Sequence, residues 1–405
     1  MGIIVQKFGG TSVADSECIK RVAQRAIRTR EEGHQVVLVV SAMGRSTNKM
    51  IALSQEITEN PDAREMDMLL STGEQITISL LAMALEELGQ PAVSLTGPQA
   101  GIVTNNVHGK ARIDHIESAR MERELAAGKI LVVAGFQGTS GDGEITTLGR
   151  GGSDTTAVAV AAALNADVCE IFTDVDGVYT TDPRVVPEAR KLDTISYDEM
   201  LEMASLGALV LQPRSVEFAK QFGVKMHVRS SFNDCPGTIV EEGSEMEKNM
   251  VVSGVAFDTR VAKLTISSVP DVPGIAMTIF RRLAEHNVNV DMIVQSNHKG
   301  DVNDISFTVS TGDAKRAQEV MEELKVELGA KAVSFDDTVS KISIVGAGMQ
   351  SNAGVAATMF EALAQADINI QLISTSEIKV SCIVARDDVQ KAVKAVHAKF
   401  ELESE

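Results

Sequence analysis

This 405-residue sequence has no block of basic residues interleaved with aromatics. Aromatics make up 3%, and acidic residues outnumber lysine plus arginine by 56 to 38, a net charge of −18. Nucleic-acid binding rests on a basic surface that neutralises phosphates, so that class of partner is excluded, and an anionic substrate must be held by a local cluster. The four cysteines, Cys18, Cys169, Cys235 and Cys382, form no CxxC pair, and the seven histidines make no HExxH or other paired ligand spacing. Reduced thiols and no bound structural metal are expected. Apolar runs stop short of the roughly 18 residues of a membrane span, so no membrane role is expected. The N-terminus enters the strand-like Ile3-Ile4-Val5 without the basic and apolar regions of a signal peptide. The expected location is cytoplasmic.

What is present is ordinary globular material, 44% hydrophobic and 23% charged, at a length that predicts two or three domains. The chain is organised around Gly149-Arg150-Gly151-Gly152-Ser153-Asp154-Thr155-Thr156, with the apolar run Ala157 to Leu164 directly behind. Glycines let backbone N–H groups approach a ligand closely, and the apolar run reads as a buried helix whose N-terminus favours an anion. Arg150 adds a planar fork suited to carboxylate or phosphate, and Asp154 a carboxylate in the same turn. A plain glycine turn capping a helix is the alternative.

The first strand, Ile3-Ile4-Val5-Gln6-Lys7-Phe8, breaks at Gly9-Gly10 and restarts as a helix behind Thr11-Ser12. Lys7 therefore sits at a strand's carboxyl end, where open parallel sheets bind ligands. It precedes its glycines, which a Walker A lysine does not. The apolar strand over residues 36–40 ends in a loop with Ser41 and Thr47, which reads as a ligand loop or a plain polar one. Ser71-Thr72-Gly73-Glu74 precedes an apolar helix over residues 76–88, so Glu74 reads either as half of a capping box or as a ligand. Further strands are legible over residues 92–95, 130–134 and 168–172. The last runs into Thr173-Asp174-Val175-Asp176-Gly177, which lacks the later ligands of a calcium loop. Tyr179 offers a flat partner for a base, and Arg184 a phosphate cation. Strand–helix alternation makes this half an α/β sheet.

Beyond about residue 243 an internal repeat appears at an offset of 80 residues: Pro273-Gly274-Ile275-Ala276 and Val288-Asn289-Val290 recur as Ala353-Gly354-Val355-Ala356 and Ile368-Asn369-Ile370. Each copy reads as a small α+β module. Gly346-Ala347-Gly348 follows a strand, and Glu377 could serve as a ribose acid, but the third glycine of a dinucleotide fingerprint is missing.

Lys7-Phe8-Gly9-Gly10-Thr11-Ser12, Ser71-Thr72-Gly73-Glu74, Gly149 to Asp154 and Phe172 to Arg184, in that order, closely resemble aspartate kinase over essentially the whole chain. The resemblance implies an amino-acid kinase α/β/α sandwich with a mostly parallel sheet over residues 1–245. Two ferredoxin-like ACT domains would follow over 260–335 and 338–405, with exchange of terminal strands between them left open, the tail after Val380 being the candidate to return to the first. A homoserine dehydrogenase domain is not expected after them. The implied reaction is phosphorylation of the β-carboxylate of L-aspartate by ATP and Mg²⁺, the first step toward lysine, threonine and methionine.

By the same resemblance Lys7 stabilises the transferring phosphoryl group and Asp154 holds Lys7. Ser41, Thr47, Glu74, Arg150, Gly151, Gly152 and Ser153 bind aspartate, with Arg150 on the α-carboxylate and Glu74 on the ammonium. Lys7, Phe8, Gly9, Gly10, Thr173, Asp174, Tyr179 and Arg184 bind ATP. Lysine, threonine or both are the expected inhibitors, at the turns and second strands of the modules. The contacts would be Asp271, Gly274, Ile275, Ala276, Asn289, Asp291 and Gln295 in the first, and Asn352, Ala353, Asn369, Ile370, Thr375, Ser376 and Glu377 in the second. Exposed module edges predict a homo-oligomer, or a hetero-oligomer with a shorter regulatory chain. One departure is Leu209, where the family commonly has a nucleotide-contacting lysine. Another carboxylate kinase, acting on acetylglutamate or glutamate, and a silent amino-acid sensor are the competing readings. The two modules and the Lys-Phe-Gly-Gly-Thr-Ser start count against the first, and intact Lys7, Glu74, Arg150 and Asp154 against the second.

Overall fold

The computed structural model describes residues 2–208, 210–243, 251–297 and 301–403, so Leu209 lies outside the described residues. It divides into two units: Met1–Val178, Lys191–Ala204 and Leu209–Ser244 form the first, and Tyr179–Arg190, Ser205–Ala208 and Glu245–Glu405 the second. The boundary expected near residue 245 thus misses two short segments that belong with the C-terminal unit.

The first unit is built on an eight-stranded sheet in the order Thr194–Ser196, Thr238–Glu241, Met226–Ser230, Val168–Thr173, Ile3–Phe8, Gln35–Val40, Ile130–Ala134 and Ala92–Leu95. All neighbours pair in parallel except Met226–Ser230 with Thr238–Glu241. Strands such as Val36–Val40 and Ile130–Ala134 are buried on both faces, which is why they read as unbroken apolar runs. Alternation sends Phe8 to the face packed by helices Ser16–Glu31 and Ala63–Glu87, through Ile19, Val22, Ala23, Ile78 and Leu81. Lys7 faces the opposite side, toward helix Gly152–Ala163. A second sheet, Ile113–Ile116, Ile102–Thr104, Gln137–Ser140 and Ile145–Thr147, escaped the sequence reading because its strands are three or four residues long.

Ser71 and Glu74 do not begin a helix. The helix starts eight residues earlier and runs over Ala63–Glu87, capped by the Asp62 carboxylate, which accepts from the N–H groups of Arg64 and Glu65. The capping-box reading is therefore corrected: nothing between Ala63 and Leu70 interrupts a run of good helix formers. At 25 residues this is the one helix among the described residues long and apolar enough to cross a membrane by length and composition, although polar residues such as Ser71, Thr72, Glu74 and Gln75 interrupt its apolar runs. Its inner face, including Asp67, Ser71, Glu74, Ile78 and Leu81, is buried within the unit.

In the second unit the repeat extends to the backbone. Helices Ile275–Glu285 and Val355–Gln365 are each preceded by a left-handed glycine, Gly274 (φ 102°) and Gly354 (φ 94°), and followed two residues on by a left-handed Asn287 or Asp367. Each module has a four-stranded antiparallel sheet. Gly254–Asp258, which precedes the first module in sequence, pairs with Val339–Val345 of the second, so the first module is inserted into the second. The tail stays at home: Lys379–Ala385 pairs with Val339–Val345, which decides against the alternative of a return to the first module. The modules meet through Val261, Met292, Val339 and Ile383, with Lys341 paired to Asp291 and Lys263 bonded to Gln371.

Candidate functional site

At the carboxyl end of the central strand the Lys7 ammonium lies 2.6 Å from Asp154 Oδ1, both side chains about nine-tenths buried. The chain then turns over Gly9 and Gly10. A Cβ on Gly9 would lie 3.4 Å from Lys7 Nζ, and one on Gly10 would meet the carbonyls of Ala42 and Gly44 at 3.0 Å. Neither takes a left-handed φ; Gly10 is set by its close approach to the Ala42–Gly44 backbone, whereas a Cβ at Gly9 would make only an ordinary contact with the ammonium. Phe8 turns away: its ring is buried and stacked on Phe172 at 4.7 Å, so its side chain presents nothing to a ligand.

Glu74 is buried on the long helix, which approaches the Ser41–Ala42 turn closely at Gly73, where a Cβ would meet that of Ala42 at 2.8 Å. One carboxylate oxygen accepts from the Ala42 N–H at 3.0 Å, whereas Oε2 is buried with no hydrogen-bond partner among the described residues. Burial raises the Glu74 pKa to about 7, against the smaller opposing effect of backbone hydrogen bonds. A buried carboxylate oxygen with nothing to accept fits a cationic ligand group. Beside it Ser41 Oγ donates to Ser153 Oγ at 2.9 Å, tying the strand-end loop to the first turn of helix Gly152–Ala163. Thr47 falls on the first turn of helix Ser46–Ile57.

The Gly149–Gly151 loop takes left-handed φ at both glycines, 77° and 74°, with Gly151 capping the helix. Arg150 between them is exposed and forms no ion pair among the described residues, so its guanidinium is available to an anion.

The expected nucleotide residues divide. Thr173 and Asp174 close strand Val168–Thr173 in the first unit, with Thr173 Oγ1 bonded to Asp174 at 3.2 Å. Tyr179 and Arg184 belong to the second unit, where Tyr179 packs on the core of the second module and Arg184 makes a bidentate pair with Asp182. Among the described residues no group of three or more His, Cys, Asp or Glu side chains could enclose a metal ion.

Of the expected effector contacts, Asp271, Gly274, Ile275, Ala276 and Gln295 line one cavity of about 110 Å³. Asn303 lies in the same cavity and went unrecognised, because it sits on a strand with no motif around it. Buried, it donates to Asp271 at 2.8 Å, and its own Oδ1 has no partner. The cavity thus offers a carbonyl and a carboxylate to an ammonium, with the N-terminus of helix Ile275–Glu285 open to a carboxylate. Asn289 and Asp291 do not line it; both are exposed, and Asp291 pairs with Lys341. In the second module Asn352 bonds the Gly348 carbonyl and Glu377 bonds Gln350, while Ala353, Asn369, Thr375 and Ser376 are exposed and Ile370 packs on the module core.

The amino acid kinase family matches residues 2–230, and ACT domains match residues 264–329 and 342–400. The chain is 55% identical over 402 residues to Aspartokinase 2 of Bacillus subtilis (strain 168), covering 99% of this chain and 98% of that relative. It is 53% identical over 406 residues to the aspartokinase of Pseudomonas aeruginosa, covering 100% and 98%. Its structure resembles that of E. coli aspartokinase III in complex with aspartate and ADP (R-state), with a TM-score of 0.83 at 28% identity over 98% of this chain and 99% of that one. The same E. coli enzyme in complex with lysine and aspartate (T-state) gives a TM-score of 0.78 at 27% identity, with equal coverage.

Proposed function

The chain belongs to the amino acid kinase family, among its aspartate kinases with two ACT domains, and from that premise we propose how this phosphotransferase works and is controlled. It passes the γ-phosphoryl group of ATP to the β-carboxylate of L-aspartate at the end of strand Ile3–Phe8. The product, 4-phospho-L-aspartate, feeds cytoplasmic synthesis of lysine, threonine and methionine. The observation that carries this reading is the Lys7–Asp154 pair set beside a buried Glu74 oxygen that has no partner.

A carboxylate is already an anionic nucleophile, so no strong base is needed, and catalysis rests on positioning and charge neutralisation. Glu74 takes the substrate ammonium and Arg150 its α-carboxylate, leaving the β-carboxylate to meet the phosphoryl group. Lys7, held by Asp154, neutralises charge on the transferring oxygens. Thr173, Asp174, Tyr179 and Arg184 serve the nucleotide. Mg²⁺ borne by phosphates needs only one or two protein carboxylates, which suits exposed Asp174; when bound it neutralises phosphate charge. Lysine or threonine inhibits from the Asp271–Asn303 cavity, and module edges join copies of the chain.

ADP release is measured with aspartate, glutamate and acetylglutamate in turn. Aspartate alone is expected to turn over, and Lys7→Ala to lower kcat about a hundredfold or more, the scale of one preorganised charge-stabilising group. Arg150→Ala is expected to act mainly on aspartate KM, because the α-carboxylate keeps its charge through the reaction. Near-normal kcat in Lys7→Ala, or equal use of glutamate, refutes the reading.

A further inference from the structure

Two turns before Glu74 on the same helix, Asp67 is fully buried. Seven residues put both carboxylates on one face. Asp67 accepts from His108 Nδ1 at 2.7 Å, from the Gly109 N–H at 3.1 Å to each oxygen, and from the Thr147 hydroxyl. Taking a carboxylate out of water is costly unless donors replace the solvent. Here the donors come from two separate segments, and both lead to the same loop.

Thr147 ends strand Ile145–Thr147, and Leu148, Gly149 and Arg150 follow. The 108–111 turn lies against that loop: Ala111 N–H donates to the Thr147 carbonyl at 2.9 Å, and a Cβ on Gly149 would come within 2.9 Å of the Gly109 carbonyl. From a third direction the Arg214 guanidinium donates to the carbonyls of Leu148 at 3.1 Å and Ala111 at 2.9 Å. Arg150, itself without an ion pair, is thus suspended from a frame anchored on the helix that carries Glu74.

We propose that Asp67 is a positioning residue for aspartate recognition, fixing the Arg150 loop at a set spacing from Glu74. The proposal rests on Arg150 and Glu74 being the two ends of the substrate clamp. A carboxylate suits the task because its bonds are directional and reach both segments at once, which an apolar contact would not do. Asp67 touches no substrate in this scheme, and its effect passes through the loop.

The test compares Asp67→Asn, Thr147→Val, Arg150→Ala and the Asp67→Asn/Arg150→Ala double variant in the full chain, with thermal melting to check folding. Asp67→Asn and Thr147→Val are each expected to raise aspartate KM about tenfold while ATP KM stays within about twofold, since a misplaced clamp weakens only the ligand it holds. In the Arg150→Ala background Asp67→Asn is expected to add little, because its partner in the clamp is gone. Parallel rises in both KM values, or independent multiplication of the two effects, would make Asp67 merely structural and overturn the proposal. Unchanged aspartate KM in Arg150→Ala would overturn the clamp itself, and the proposal with it. If Asp67→Asn does not fold, Thr147→Val removes one bond of the same frame and is read by the same criteria.

Discussion

A carboxyl group buried with one empty oxygen stores a pH dependence, and Glu74 is such a group. Its pKa is raised to about 7, chiefly by burial. Below that pH the folded protein keeps Glu74 protonated, and above it the protein must carry a buried charge. The unfolded chain releases the same proton near the ordinary glutamate value, so the folded state binds more protons between the two values and stability falls as pH rises through that window. The full penalty, about 3 kcal/mol as an upper figure, is present above pH 7. In the proposed complex, bound aspartate would offset it by placing an ammonium on the carboxylate. Aspartate affinity is therefore expected to rise with pH between about 6 and 8, measured by calorimetry. Glu74→Gln is expected to bind aspartate weakly, to lose that pH dependence, and to melt higher than the parent at pH 8 without substrate. A parent affinity flat across this range would mean that Glu74 does not meet the ammonium.

The helix that holds Glu74 shows where sequence pattern succeeds and where it stops. Lys7 at a strand end, the glycine turns and the 80-residue repeat were legible because each is local: an apolar run, then a residue whose backbone freedom or close approach is needed at that point. Ser71-x-x-Glu74 misled because a capping box is defined by four positions and does not report whether the preceding residues are already helical. Asp67, His108, Thr147 and Arg214 left no trace, since their bonds span 41 residues or more and no spacing rule connects them. The inserted first module was likewise invisible, because strand Gly254–Asp258 carries nothing that says which sheet it joins. The true start of the helix makes a separate prediction. Asp62→Ala removes a cap that bonds two N–H groups and is expected to cost about 1 kcal/mol. The kinase unit should then unfold at lower denaturant concentration, while aspartate KM at low temperature stays close to the parent's, because Asp62 lies three turns from Glu74. An unchanged midpoint would place the stability of this helix wholly in its packed inner face.

Across the whole molecule, the division of the chain bears on how regulation reaches catalysis. The segment Tyr179–Arg190 begins only five residues after Asp174 in sequence yet belongs to the C-terminal unit. Its Val186 and Ala189 are part of the core of the second module, and Thr180 is fixed there by His397 Nε2 at 2.9 Å and by the Leu402 carbonyl at 3.0 Å. Two of the proposed nucleotide residues, Tyr179 and Arg184, therefore ride on the regulatory unit, whereas the proposed aspartate residues all lie in the first unit. An effector shifts an enzyme only by its differential affinity for two arrangements. An effector that favours one arrangement of the C-terminal unit acts on the unit that contains Tyr179 and Arg184, not on the one that contains Glu74 and Arg150. Inhibition by lysine or threonine is accordingly expected to raise ATP KM several-fold with little change in aspartate KM. Asn303→Ala, which takes a buried acceptor from the effector cavity, is expected to abolish that response. Initial rates over a grid of both substrates at fixed effector decide the matter. A rise confined to aspartate KM would break the link through Tyr179–Arg190, and full inhibition in Asn303→Ala would move the effector out of the first module's cavity.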